Sequence, residues 1–310
     1  MRSVEETGIR EISRLEFLAN QVVEGFIVGL HQSPFHGFSV EFAEHRIYNQ
    51  GESTKSIDWK VYARTDRLYS KRFEEETNLR CQLVIDTSSS MQFPKSSLEN
   101  IDDTQNKFVF SALGAAALMN LFKKQRDAFG LSLFDQSLSV HTEAKSSTAH
   151  YRLLINHLDK VLKNPGELKQ TSSATILHEI AERIHKRSLV ILFSDMLEDN
   201  HQVEEIFAAI QHLKHNKHEV ILFHTVDKSK EINFEYENRP HLFIDLETGE
   251  KIRLLPKEIE KEYRAQMVKF KEKIKMLSLQ LRIDLVEADI RQGYKPILQT
   301  YLAKRSKMGI

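Results

Sequence analysis

The chain predicts an α/β protein built on a doubly wound, mostly parallel sheet, and three observations carry that expectation. Short apolar runs recur at RCQLVID (80–86), SLVILFSD (188–195) and EVILFHTVD (219–227). They lack polar alternation, the pattern of strands buried on both faces. Helical patterns lie between them, and strands alternating with helices wind into a parallel sheet. Each run also ends in an aspartate, and open α/β sheets bind ligands outside the carboxyl ends of their strands.

Taken in order, residues 9–30 predict an amphipathic helix, with Ile12, Leu15, Leu18, Val22 and Phe26 at three- and four-residue steps. Gly25 and Gly29 weaken it and Ser33-Pro34 ends it. Residues 35–78 read as irregular, with short strands at 38–42 and 68–73. This N-terminal extension, 1–78, is expected to precede an α/β domain over 79–310. In that domain residues 107–124 predict a helix whose small residues, Ala112 to Ala117, suit close packing on a sheet. Residues 128–135 and 138–142 predict a hairpin pair, and 151–162 and 176–185 predict helices. A helix over 203–214 separates the second and third apolar strands. The Thr-Gly turn in HLFIDLETGEKIRLL (241–255) predicts another hairpin. Ile259, Tyr263, Met267, Phe270, Ile274 and Leu277 predict a long amphipathic helix, followed by strand LRIDLVEAD and a final helix over 296–304.

At 310 residues the chain can bury a sizeable core in one large domain or two modest ones. A formal net charge of zero gives no global electrostatic case for nucleic acid or an anionic membrane. Charge is nevertheless uneven, because residues 251–310 hold 15 Lys/Arg against 7 Asp/Glu. The single cysteine, Cys81, excludes a disulfide framework. The N-terminus has acids too early for a signal peptide, and no stretch reaches the roughly 18 apolar residues of a membrane span. A cytoplasmic location is therefore expected.

The stretch CQLVIDTSSSMQF (81–93) leaves a buried strand through one carboxylate and four hydroxyls. Asp86, Ser88 and Ser90, at every second position of a curling loop, can turn toward one point. They form a set of hard oxygen donors suited to Mg²⁺ or Mn²⁺. Magnesium needs about six oxygens, so further donors must come from elsewhere. Asp195, leaving the second strand, and Thr175, in the loop before a helix, are the natural suppliers. The plainer alternative is that Asp86 or Ser88, and likewise Asp195, merely cap helices. An ion held directly by one carboxylate keeps an open position for a partner's carboxylate, and hydrolysis would want a nearby base as well. The chain has no phosphate-binding glycine loop, no nucleophile elbow and no close Cys/His cluster.

DTSSSM, with Thr175 and FSD (193–195), resembles the metal-ion-dependent adhesion site of von Willebrand factor A domains. FHGFSVEFAEHRIYNQGESTKSIDWKVYARTDRLYSKRFEEETN (35–78) resembles the N-terminal signature of the bacterial domain-of-unknown-function family fifty-eight, and LFIDLETGE (242–250) and YLAKR (301–305) resemble its late segments. The resemblance implies a von Willebrand A-like, Rossmann-type fold. It also implies metal ligation by Asp86, Ser88, Ser90, Thr175 and Asp195, the last through water. One departure is that Ser172-Ser173-Ala174-Thr175 lacks the glycine that commonly precedes the loop threonine. Arg46, Tyr48, Gly51, Asp58, Trp59 and Arg64 belong to the signature and read mainly as structural.

The functional expectation is a non-enzymatic, divalent-cation-dependent protein-binding module. The family resemblance implies as partner a MoxR-type AAA+ ATPase or another von Willebrand A protein, and an adaptor or chaperone-like role. The alternatives are a Mg²⁺-dependent phosphoester hydrolase and a scaffold with a metal-free site.

Overall fold

The computed structural model describes residues 13–31, 45–47, 62–64, 69–71, 79–94, 106–163, 173–197 and 200–308. Tyr48, Gly51, Asp58 and Trp59 of the signature, and the strand expected over 38–42, lie outside them. Helix α1 (Arg14–His31) comes first, followed by β1 (His45–Ile47) and β2 (Tyr69–Lys71), which pair antiparallel.

The rest alternates strands and helices: β3 (Arg80–Asp86), α2 (Lys107–Lys124), β4 (Ala128–Phe134), β5 (Leu138–His141), α3 (Thr148–Lys163) and α4 (Ser173–Arg183). Then follow β6 (Leu189–Ser194), α5 (Asn200–His215), β7 (Glu219–Val226), the hairpin β8 (His241–Ile244) and β9 (Lys251–Leu254), α6 (Pro256–Gln280), β10 (Asp284–Asp289) and α7 (Lys295–Lys307).

Six strands form one sheet in the order β10-β7-β6-β3-β4-β5. All its pairings are parallel except β4 with β5. The expected α/β class with a mostly parallel central sheet is what forms. From β3 the chain first moves to β4 and β5, then returns to build β6, β7 and β10 on the other side. The reversal lies between β3 and β6, whose carboxyl ends therefore flank the crevice of the sheet.

Period-two alternation sends successive strand residues to opposite layers. Cys81, Leu83, Ile85, Leu189, Ile191, Phe193, Ile221 and Phe223 pack into a core with α1, α2, α3 and α7. Val84, Val190, Leu192, Val220 and Leu222 pack into a second core with α4, α5 and α6. Both faces of the central strands are thus covered, which is why those strands read as unbroken apolar runs.

Helix α2 is buried along nearly its whole length, from Lys107 to Phe122. Its first turn is capped by Asn106, whose Oδ1 accepts the Val109 N–H at 2.7 Å. Gly114 lets α7 approach, since a Cβ there would lie 3.0 Å from the Ile297 methyl.

Gly130 on β4 is tighter. A Cβ there would stand 2.5 Å from the Thr142 carbonyl oxygen and closer still to the Gln82 amide oxygen. The Gln82 amide nitrogen donates to Ser132 Oγ at 2.9 Å and to the Thr142 carbonyl at 3.3 Å, so neither neighbour can retreat without losing a buried bond. Gly130→Ala is expected to destabilise the fold by about 1–3 kcal/mol through overpacking. Urea unfolding followed by circular dichroism checks this, and an unchanged midpoint would refute it.

Candidate functional site

The site forms where β3 and β6 run out of sheet. Asp86 is the last residue of β3 and is 3% exposed. Its Oδ1 accepts the Ser88 N–H at 2.9 Å, and its Oδ2 accepts the Ser194 hydroxyl at 2.8 Å. Ser194, the last residue of β6, in turn accepts the Met196 N–H at 3.0 Å. The chain bends sharply there, with Met196 in the left-handed region at φ 54°, a conformation that side chains other than glycine adopt at a cost.

Beyond Asp86 the loop turns through a short 3-10 segment, Ser89–Gln92. The Ser88 and Ser90 hydroxyls lie 3.1 Å apart. Thr87 faces elsewhere: its N–H and its hydroxyl both donate to the Phe134 carbonyl, at 2.8 and 2.9 Å, tying the loop to the end of β4. Helix capping does not explain the serines, because Ser88 makes no side-chain cap bond.

Asp195 follows β6 and is buried. Its Oδ1 accepts the Leu197 N–H at 3.1 Å, and the Ser90 hydroxyl also bonds to its carboxylate. The buried imidazole of His224, its pKa pushed down to about 4 by desolvation, holds the Asp195 carbonyl at 3.0 Å. Asp86, Ser88, Ser90 and Asp195 are therefore joined by one set of contacts, as their spacing predicts. Thr175, expected in a loop, is exposed in the first turn of α4, because α4 already begins at Ser173. Without the glycine that would restrict helix entry, the Ser-Ala-Thr run joins the helix.

The largest feature not expected from the sequence is Lys107, at the start of α2 and wholly buried. Its ammonium donates to Asp195 Oδ2 at 2.6 Å and to Glu231 Oε1. Burial alone would lower its pKa, but the two carboxylates outweigh burial and hold it charged. Asp195 shows the counterpart: burial would raise its pKa, and the Lys107 ammonium brings it below the ordinary carboxylate range. Glu231 lies in a π-helical turn, Lys228–Ile232, and its other oxygen accepts the Asp227 N–H at 2.8 Å. Asp227, ending the third apolar strand, is taken by Arg291 through bonds of 3.0 and 2.8 Å.

Asp127, Asp195, Asp227 and Glu231 are all buried and all ion-paired. For Asp86 the described residues provide no lysine or arginine ion pair, only hydroxyl and N–H donors. Desolvation first, then the Asp195 charge, push its pKa up to about 7 against the opposing hydrogen bonds. Among the described residues no three His, Cys, Asp or Glu side chains gather as a ligand group. An ion here would rest on serine hydroxyls beside carboxylates.

A family model described as "Protein of unknown function DUF58" matches residues 44–273. An uncharacterized protein of Mycobacterium tuberculosis is 22% identical over 183 residues, 59% of this chain and 55% of that protein. The chain thus spans about half the length of the curated relatives it matches. Among solved structures, the conserved hypothetical protein BatB from Bacteroides thetaiotaomicron is similar with a TM-score of 0.45 and 11% identity, over 74% of this chain and 98% of that one. An aerotolerance-related membrane protein from Bacteroides fragilis is similar with a TM-score of 0.44 and 16% identity, over 71% and 97%. That description overturns the expected cytoplasmic location, which is not carried forward. None of the described helices is long and apolar enough to cross a membrane.

The raised pKa of Asp86 has a sign. Between roughly pH 4 and 7 the folded protein keeps a proton that the unfolded carboxyl has lost, so the stability this group contributes at acid pH disappears as pH rises through about 7. In EDTA-treated protein, Asp86→Asn is expected to raise Tm relative to wild type above about pH 7, with the difference shrinking below about pH 5. Thermal melts across pH check this, and a difference independent of pH would count against it.

Proposed function

The chain belongs to the family of proteins of unknown function DUF58, and we propose that it is a non-enzymatic, divalent-cation-dependent protein-binding module on a von Willebrand A-like, Rossmann-type fold. The observation that carries this reading is Asp86: a buried carboxylate to which the described residues offer only neutral donors, beside two serine hydroxyls, at the reversal of the sheet's winding. A carboxylate so placed is costly without a compensating cation.

The donor chemistry fits Mg²⁺ or Mn²⁺, which prefer carboxylate, hydroxyl and water oxygens. Asp86, Ser88 and Ser90 would hold the ion, with Asp195 acting from behind Ser90. A bound Mg²⁺ or Mn²⁺ would supply an electrophilic position open to a carboxylate from a partner protein. As the family resemblance implies, that partner is a MoxR-type AAA+ ATPase or a second von Willebrand A protein, and the role is that of an adaptor.

The arrangement favours binding over phosphoester hydrolysis. The neighbouring carboxylates are committed, Asp195 and Glu231 to Lys107 and Asp227 to Arg291. Among the described residues none of these is left as a general base beside Asp86.

Mn²⁺ at about 100 times its dissociation constant is expected to stabilise the wild-type protein by about 2.7 kcal/mol, and Asp86→Ala to abolish that stabilisation. In pull-downs from native lysate, partner capture is expected with Mg²⁺ and lost with EDTA or with Asp86→Ala. Metal-dependent phosphatase turnover that disappears in Asp86→Ala would refute the reading in favour of hydrolysis.

A further inference from the structure

Lys107 takes no part in the donor set, yet it is built into the site more firmly than any ligand. It opens a helix that is buried on all sides, so the ammonium has no route to water along its own side chain. The ring of Phe93 stands 6.0 Å from it, and the carboxylates of Asp195 and Glu231 accept its protons. Glu231 is fixed in turn by the Asp227 N–H, while the Tyr263 hydroxyl donates to the Glu231 carbonyl at 2.8 Å.

We propose that Lys107 is the residue that sets the charge preference of this site, holding Asp195 out of direct ligation and matching the cluster to one divalent cation. The inference rests on the metal-binding reading above. Its argument is electrostatic balance. Asp86, Asp195 and Glu231 bring three negative charges when ionised, and the ammonium cancels one. The two that remain are neutralised by a single divalent ion. Without the ammonium three remain, which a trivalent ion of similar hardness balances better, and Asp195 Oδ2 becomes free to ligate. In a buried site each such charge is weakly screened, so a change of one unit outweighs differences in ionic radius.

The test compares Mn²⁺ with Tb³⁺ by calorimetry and terbium luminescence in wild type and Lys107→Met. The Tb³⁺-to-Mn²⁺ affinity ratio is expected to rise by roughly tenfold or more in the variant. Because Lys107→Met leaves two buried carboxylates unpaired, Glu231→Gln and the double variant Lys107→Met/Glu231→Gln are measured as well. The double variant restores two net negative charges. It is expected to return toward the wild-type ratio and to bind Mn²⁺ more tightly than Glu231→Gln alone. A purely structural role for Lys107 would leave the ratio within about twofold throughout, and that result overturns the proposal. Binding of Tb³⁺ by Lys107→Met when wild type takes no Mn²⁺ would refute divalent binding by the native site and with it the match to a divalent ion. Failure of both proteins to take either ion would overturn both.

Discussion

The buried ammonium of Lys107, gripped by Asp195 and Glu231, is the interaction on which the carboxyl edge of the sheet depends. A parallel sheet covered on both faces desolvates whatever its strands end in, and here they end in carboxylates. Stripping one partner from such a buried pair typically costs about 3–5 kcal/mol, because the other charge stays behind unpaired. At that edge the fold meets this cost separately: Arg291 at Asp227, Lys107 at Asp195 and Glu231. Among the described residues Asp86 and Asp289 are met by N–H or hydroxyl donors rather than by an ion pair, and of the two it is Asp86 that stands beside the Ser88 and Ser90 hydroxyls and the Asp195 charge.

The architecture was largely legible in the chain. The central strands announce themselves because burial on both faces forbids polar alternation, and the hairpins follow from their turns. Helix starts were read too late for one reason. Helices α3, α4 and α5 begin at Thr148, Ser173 and Asn200, three residues before the expected 151, 176 and 203. Their first three residues are small or polar, and apolar periodicity becomes visible only at the first large apolar or aromatic residue. Thr175, expected in a loop, lies in the first turn of α4 for the same reason.

The site was legible by halves. Asp86, Ser88, Ser90 and Asp195 could be found because strand ends fix where they must converge. Lys107 could not be found from the lysine itself, which reads as a solvated helix start. The signal lay in its neighbours: FVFSALGAAALMNLF has no polar face, and a helix apolar all round is a buried helix. A charge at its first turn then needs an internal counterion. Glu231 was hidden differently, in DKSKEINFE, where a charged loop gives no hint that one of its carboxylates turns inward.

Gly114 gives the family boundary a mechanical meaning. The matched segment ends at residue 273, but the Ile297 methyl of α7 rests against this glycine, and β10 completes the sheet beside β7. The helix that carries Lys107 is thus seated partly by residues beyond the matched segment. The segment that the family model matches and the unit that packs together are different lengths of chain, for β10 and α7, after 273, close the sheet and the core behind the edge where Asp86 lies.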